Sequence, residues 1–165
     1  MARISTETID CTIFKIGSEK VLHSHLKEYR MNEDSVTWDD VYLVGLPAID
    51  EQHKKLVVMI GDLFQLCQEG NTSTKLSIVR AFNGVSEYTQ EHFRAEEELL
   101  AKHNYPELPE HKKEHAAFIT EVWTQFEQYN KDAAAPIGLP RFLKKWLLNH
   151  IAVKDKRYAA FITKR

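Results

Sequence analysis

Apolar residues recur at steps of three and four along four long stretches of this chain, the spacing that gathers them on one face of an α-helix. The first stretch, about residues 50–69, carries Leu56, Ile60, Leu63, Phe64 and Cys67 on its stripe. The second, about 74–103, carries Ile78, Phe82, Val85 and Thr89. The third, about 109–129, continues from Leu108 through Phe118, Val122 and Phe126, and the fourth, from about 139 towards the end, carries Leu139, Leu143 and Trp146. Turn-forming clusters separate them at Gly70-Asn71-Thr72-Ser73, at Asn104-Tyr105-Pro106 and over 130–138. Connections this short favour antiparallel neighbours, so the pattern predicts an all-α, up-down-up-down four-helix bundle over residues 38–165. Residues 1–37 lie outside the repeat as an N-terminal extension without an assigned role. They hold only a weak alternation over 10–16 and a short amphipathic set, Val21, Leu22, Leu26 and Tyr29.

Followed further, each stripe runs into polar side chains. Stepping back by three from Leu56 lands on His53, and the second stripe passes from Thr89 to His92 and Glu96. The third opens with His111 and His115, and the fourth reaches His150. Beyond it a further stripe, Asp155, Tyr158 and Ile162, is out of phase, because His150 to Asp155 is a step of five, about 140° apart on an ideal helix. An inserted residue, such as a π-bulge or a broken turn, would realign the two stripes, and such bulges are frequent at functional sites.

Composition narrows the class. Six glycines and five prolines in 165 residues fall below the roughly 12% average and speak against a turn-rich β architecture. With 22 basic against 24 acidic residues and a net charge of -2, the chain has no basic footprint for nucleic acid and no polybasic membrane patch. The longest apolar run, residues 56–60, is far short of the roughly 20 residues that span a bilayer, and residues 1–20 lack a secretory signal pattern, so a cytoplasmic protein is expected. Cys11 and Cys67 have no metal or redox spacing and read as buried hydrophobes.

Eight histidines change the picture. A single interior histidine is usually a hydrogen-bonded core residue, and a pair at i, i+4 such as His92 and Glu96 or His111 and His115 decides little alone. The conjunction decides more. His53 lies early in the first helix, His92 and Glu96 late in the second, His111 and His115 early in the third, and His150 with Asp155 late in the fourth. Antiparallel helices bring these seven to one depth. Burying them costs several kcal/mol each unless they share a partner. Five imidazoles and two carboxylates suit first-row transition metals and are too many for one tetrahedral zinc. Two irons fit: with both carboxylates and a solvent oxygen bridging, three histidines complete six-coordination at one metal, and two leave the other at five, with one position open.

The set His53, His92-Phe-Arg-Ala-Glu96, His111-Lys-Lys-Glu-His115 and His150-Ile-Ala-Val-Lys-Asp155, with the lead-in Val44-Gly45 and Ile49-Asp50-Glu51-Gln52-His53, resembles the ligand signature of the hemerythrin family, most of all its bacterial members. The resemblance spans about residues 38–158 and implies reversible dioxygen binding at a non-haem di-iron site, for oxygen carriage, storage or sensing, rather than an enzyme. By the family's pattern His111, His115 and His150 would hold the saturated iron and His53 and His92 the open one. Glu96, Asp155 and an oxo or hydroxo group would bridge the two ions. Leu56, Trp146, Leu147 and Ile151 would wall the oxygen pocket, although at helical spacing such residues are also ordinary core.

Two other functions compete. The extension at 1–37 and the helical end at 161–165 suit an oxygen or redox sensory module acting on a signalling partner or output domain. A di-iron oxidase would be expected to carry paired Glu-x-x-His motifs, and none occurs; the nearest spacing is Asp50 to His53. Outside the constellation, His23 and His25 read as solvated, His103 as a helix-end residue, Asp50 as a cap of the first helix or a hydrogen-bond acceptor for His53, and Tyr158 as able to serve either purpose.

Overall fold

The computed structural model describes residues 36–69, 75–131 and 138–164. Four helical rods make up this part of the chain: α1 (Pro47–Gln68), α2 (Lys75–Lys102), α3 (Leu108–Lys131) and a fourth rod composed of α4 (Gly138–His150), a π-helical turn (Ile151–Asp155) and α5 (Lys156–Thr163). Helix α1 packs on α2 and α4, α2 on α3, and α3 on α4, which closes the square of a four-helix bundle. Among the described residues there is no strand.

The helix boundaries follow local chemistry that the stripes alone did not disclose. α1 starts at Pro47, three residues ahead of the expected Asp50, because proline's fixed φ suits a first turn that has no use for its missing N–H. Asp50 is therefore inside the helix, and neither caps it nor meets His53. Its carboxylate accepts the backbone N–H of Val44 at 2.7 Å and of Gly45 at 3.1 Å, with Gly45 at φ +84, and so ties the lead-in to the first turn. α2 ends as expected near His103, in a Schellman closure: Asn104 at φ 51 donates to Ala101 O, and Tyr105 N donates to Leu100 O. His103 Nδ1 reaches Leu99 O at 2.9 Å. α3 runs on to Lys131, past the expected end at residue 129. The first turn cluster, residues 132–137 of the last, Cys11, His23, His25 and the extension apart from Val36 and Thr37 lie outside the described residues.

The stripes are the core. Leu56, Leu63 and Phe82 are wholly buried, each worth about 1.5–3 kcal/mol on transfer from water. Cys67 is buried among them, with its thiol pushed up to about 11 by that burial, and the polar Thr89 is satisfied by donating to Val85 O at 2.7 Å. A smaller apolar cluster, Leu100, Tyr105, Tyr158 and Ala159, lies towards the other end. Along each rod the predicted polar residues fall where the larger cluster gives way to the smaller one. On α1, Gly61 lets the lead-in approach, since a Cβ there would stand 3.2 Å from Val36 O.

The π turn occupies the step of five between His150 and Asp155, and both flanking residues are buried. One extra residue per turn brings two stripes that an ideal helix would hold about 140° apart onto the same side. An alanine inserted between Ala152 and Val153 is thus expected to rotate Asp155, Tyr158 and Ile162 outward by about 100° and lower the melting temperature sharply. Deletion of Val153, which closes the step to four, keeps both stripes inward and a helical spectrum near wild type. Equal damage from both changes, read by circular dichroism and thermal melting, would contradict this role for the turn.

Candidate metal centre

All seven predicted residues come together in the bundle interior, each at most 5% exposed. The five histidines converge through Nε2, and the two carboxylates sort them into two sets. Glu96 Oε1 faces His53 at 3.8 Å and His92 at 3.6 Å, while its Oε2 faces His111 at 3.4 Å and His115 at 3.3 Å. Asp155 repeats the division, with Oδ2 3.4 Å from His53 and Oδ1 3.3 Å from His150 and 4.0 Å from His111. Taken together, the two carboxylates therefore turn one oxygen each towards a pair, His53 and His92, and the other towards members of a trio, His111, His115 and His150. Helix i, i+4 spacing delivers the couples on α2 and α3; the π turn delivers Asp155.

The electrostatics of this cluster call for a cation. His53 Nδ1 and Nε2, His92 Nε2 and both Asp155 oxygens are buried without a hydrogen-bond partner, an arrangement that costs several kcal/mol if nothing else binds there. The Nε2 atoms of His115 and His150 are 3.1 Å apart, a distance that needs either a proton on one of them or a cation between their lone pairs. Burial pushes His92 down to about 4 and His150 down to about 2, which leaves both imidazoles neutral and able to donate a lone pair. His53 goes the other way: burial disfavours its charge, yet the facing Asp155 and Glu96 lift it to about 9. Burial, reinforced by Glu96, raises Asp155 to about 6. Burial also opposes the charge on Glu96, but the surrounding imidazoles hold it well below the usual carboxylate range.

A sequence profile described as the hemerythrin HHE cation binding domain matches residues 44–162. The chain belongs to the hemerythrin family. It is 31% identical over 125 residues to a bacteriohemerythrin of Stenotrophomonas maltophilia (strain R551-3), covering 75% of this chain and 79% of that protein. It is likewise 31% identical over 123 residues to a myohemerythrin of Riftia pachyptila, covering 73% of this chain and 88% of that one. A crystal structure of wild-type hemerythrin superposes with a TM-score of 0.68 at 26% identity, over 75% of this chain and 95% of the other.

The hemerythrin domain binds a di-iron centre, and the donors present fit one. The orphaned buried atoms are all nitrogen or carboxylate oxygen, the sets on either side share Glu96, and imidazole with carboxylate is a donor mixture that suits iron. Outside the seven stands a ring of residues that hold them. Gln52 Oε1 accepts from His92 Nδ1 at 2.9 Å, Glu97 Oε1 accepts from His115 Nδ1 at 3.1 Å, and Glu114 Oε2 lies 3.6 Å from His150 Nδ1. Sequence reasoning missed all three. Each is next in the chain to one of the seven, but a glutamine or glutamate there looks the same as a solvated one. Tyr158, whose hydroxyl is kept protonated by burial, donates to Glu96 Oε1 at 2.5 Å.

Of the expected pocket residues, Leu56, Leu147 and Ile151 are buried in the main core. Trp146 is only partly buried and stacks on His150 at 4.3 Å, with Phe118 4.0 Å away on its ring, so its aromatic contacts reach the trio side. Phe93 stacks on His115 at 3.6 Å.

Tyr158→Phe removes the one hydroxyl donor to a wholly buried carboxylate. A loss of about 1–3 kcal/mol in urea unfolding is expected. An unchanged midpoint would show that this hydrogen bond does not hold Glu96.

Proposed function

We propose that this chain binds dioxygen reversibly, at an iron pair held by His111, His115 and His150 on one side and His53 and His92 on the other, with Glu96 and Asp155 spanning both. The observation that carries this is the division of the two carboxylates, each with one oxygen towards the pair and one towards the trio. When bound, the iron pair supplies the redox-active centre at which dioxygen is held. What the chain adds is order and dryness. Gln52 and Glu97, by accepting the Nδ1 protons of His92 and His115, fix the tautomers whose Nε2 lone pairs point inward. Tyr158 keeps Glu96 turned to span both sets. Leu56, Leu147 and Ile151, all at most 3% exposed, are apolar and would keep water and anions from a centre held by these histidines. Trp146 covers His150 from outside.

Binding is favoured over catalytic turnover by the donor set. Five imidazoles with two carboxylates would leave less negative charge on the metals than the four carboxylates of bundle oxidases, and so would favour holding oxygen over activating it.

Iron-loaded protein reduced under argon is expected to be nearly colourless, to gain visible charge-transfer absorption on admission of air, and to lose it again when oxygen is swept out. Permanent bleaching or browning after one exposure, or rapid consumption of a co-substrate, would contradict reversible carriage.

A further inference from the structure

The residues just outside the seven are not evenly charged. Behind the trio stand two carboxylates, each held by a lysine. Glu97 faces His115 Nδ1 and is paired through Oε2 with Lys112 at 3.5 Å; Glu114 faces His150 Nδ1 and is paired through Oε1 with Lys154. Among the described residues, the neutral amide of Gln52 on His92 is the one polar group behind the pair, and His53 Nδ1 is buried without a hydrogen-bond partner. Lys154 belongs to the π turn itself, so the segment that swings Asp155 inward also anchors Glu114 across on α3.

We infer that Glu97 and Glu114 are positioning residues that strengthen the trio as a metal site, so that the position of His111, His115 and His150 takes up a divalent cation first and the position of His53 and His92 second. This rests on the di-iron reading and deepens it. A carboxylate accepting an imidazole's outer N–H pulls that proton towards itself and makes the opposite nitrogen a stronger donor, an effect that typically changes metal affinity by about 10–100-fold. Glu97 acts on the trio in this way, Glu114 adds its charge 3.6 Å from His150 Nδ1, and among the described residues no carboxylate backs the pair. Each glutamate divides its two oxygens, one to its lysine and the other towards the imidazole, so the lysine holds the carboxylate in place and leaves an oxygen facing the ring. A third histidine favours the trio as well, and amide variants isolate the share that belongs to charge.

The test is stepwise addition of Co2+ to the metal-free full chain under argon, followed by calorimetry and visible absorption, with circular dichroism as the check of folding. Wild type is expected to bind two equivalents in resolved steps. The double variant E97Q/E114Q, which keeps acceptor atoms but removes both charges, should weaken the first step by about tenfold or more while leaving the second within about twofold. Gln52→Glu should tighten the second step alone. A first step unchanged in E97Q/E114Q but lost in E97A/E114A would overturn the role of charge in favour of simple hydrogen bonding, and equal weakening of both steps would overturn the assignment to the trio. Binding of fewer than two equivalents by wild type would instead sink the two-metal reading beneath it.

Discussion

Seven ionisable side chains buried at one depth of a helical bundle are the constraint on which the rest of this structure depends. Left to themselves they are a liability, because five of their donor or acceptor atoms have no partner and two imidazole nitrogens meet head to head. A shared cation pair would take the inward atoms among them, the Nε2 nitrogens and the carboxylate oxygens, as its ligands. Much of the fold can be understood as what is needed to present them. Each rod supplies its contribution where the larger apolar cluster gives way to the smaller one. Antiparallel order lets early positions on α1 and α3 meet late positions on α2 and the fourth rod. The π turn removes the one phase error that would have sent Asp155 to the surface.

Much of this was legible in the sequence, because hydrophobic periodicity reports which face of a helix is buried and the histidines and carboxylates continue that periodicity. Even the π turn was visible as a step of five between two stripes that must both face inward. What escaped was chemistry perpendicular to the stripe. Gln52, Glu97 and Glu114 sit one position away from a buried residue, where the pattern expects a half-exposed polar side chain and has no means of saying which neighbouring rod it meets. Asp50 was misjudged for a related reason. Its position near the start of α1 suggested a cap, but Pro47 starts the helix earlier and frees the carboxylate to bind the N–H groups of Val44 and Gly45.

The two sides of the centre differ in more than histidine count. The trio is shielded by stacked rings, Phe93 on His115 and Trp146 on His150, and backed by ionic carboxylates. Among the described residues the pair is backed by one amide. An oxygen-binding centre would benefit from such a difference, with one metal position firmly held by the trio and the other left open to a small neutral ligand. Membership of the hemerythrin family accounts for the shared ligand pattern, and the outer ring shows how this chain supports it.

The most direct test of the central claim is anaerobic titration of the metal-free protein with Fe2+, with metal content and thermal unfolding measured on the same samples. If the buried cluster exists to hold an iron pair, the protein takes up two irons per chain, and the melting temperature climbs until the second equivalent and then stops, as expected when a ligand binds only the folded state. Saturation at one iron, or two irons bound without any rise in melting temperature, would contradict it.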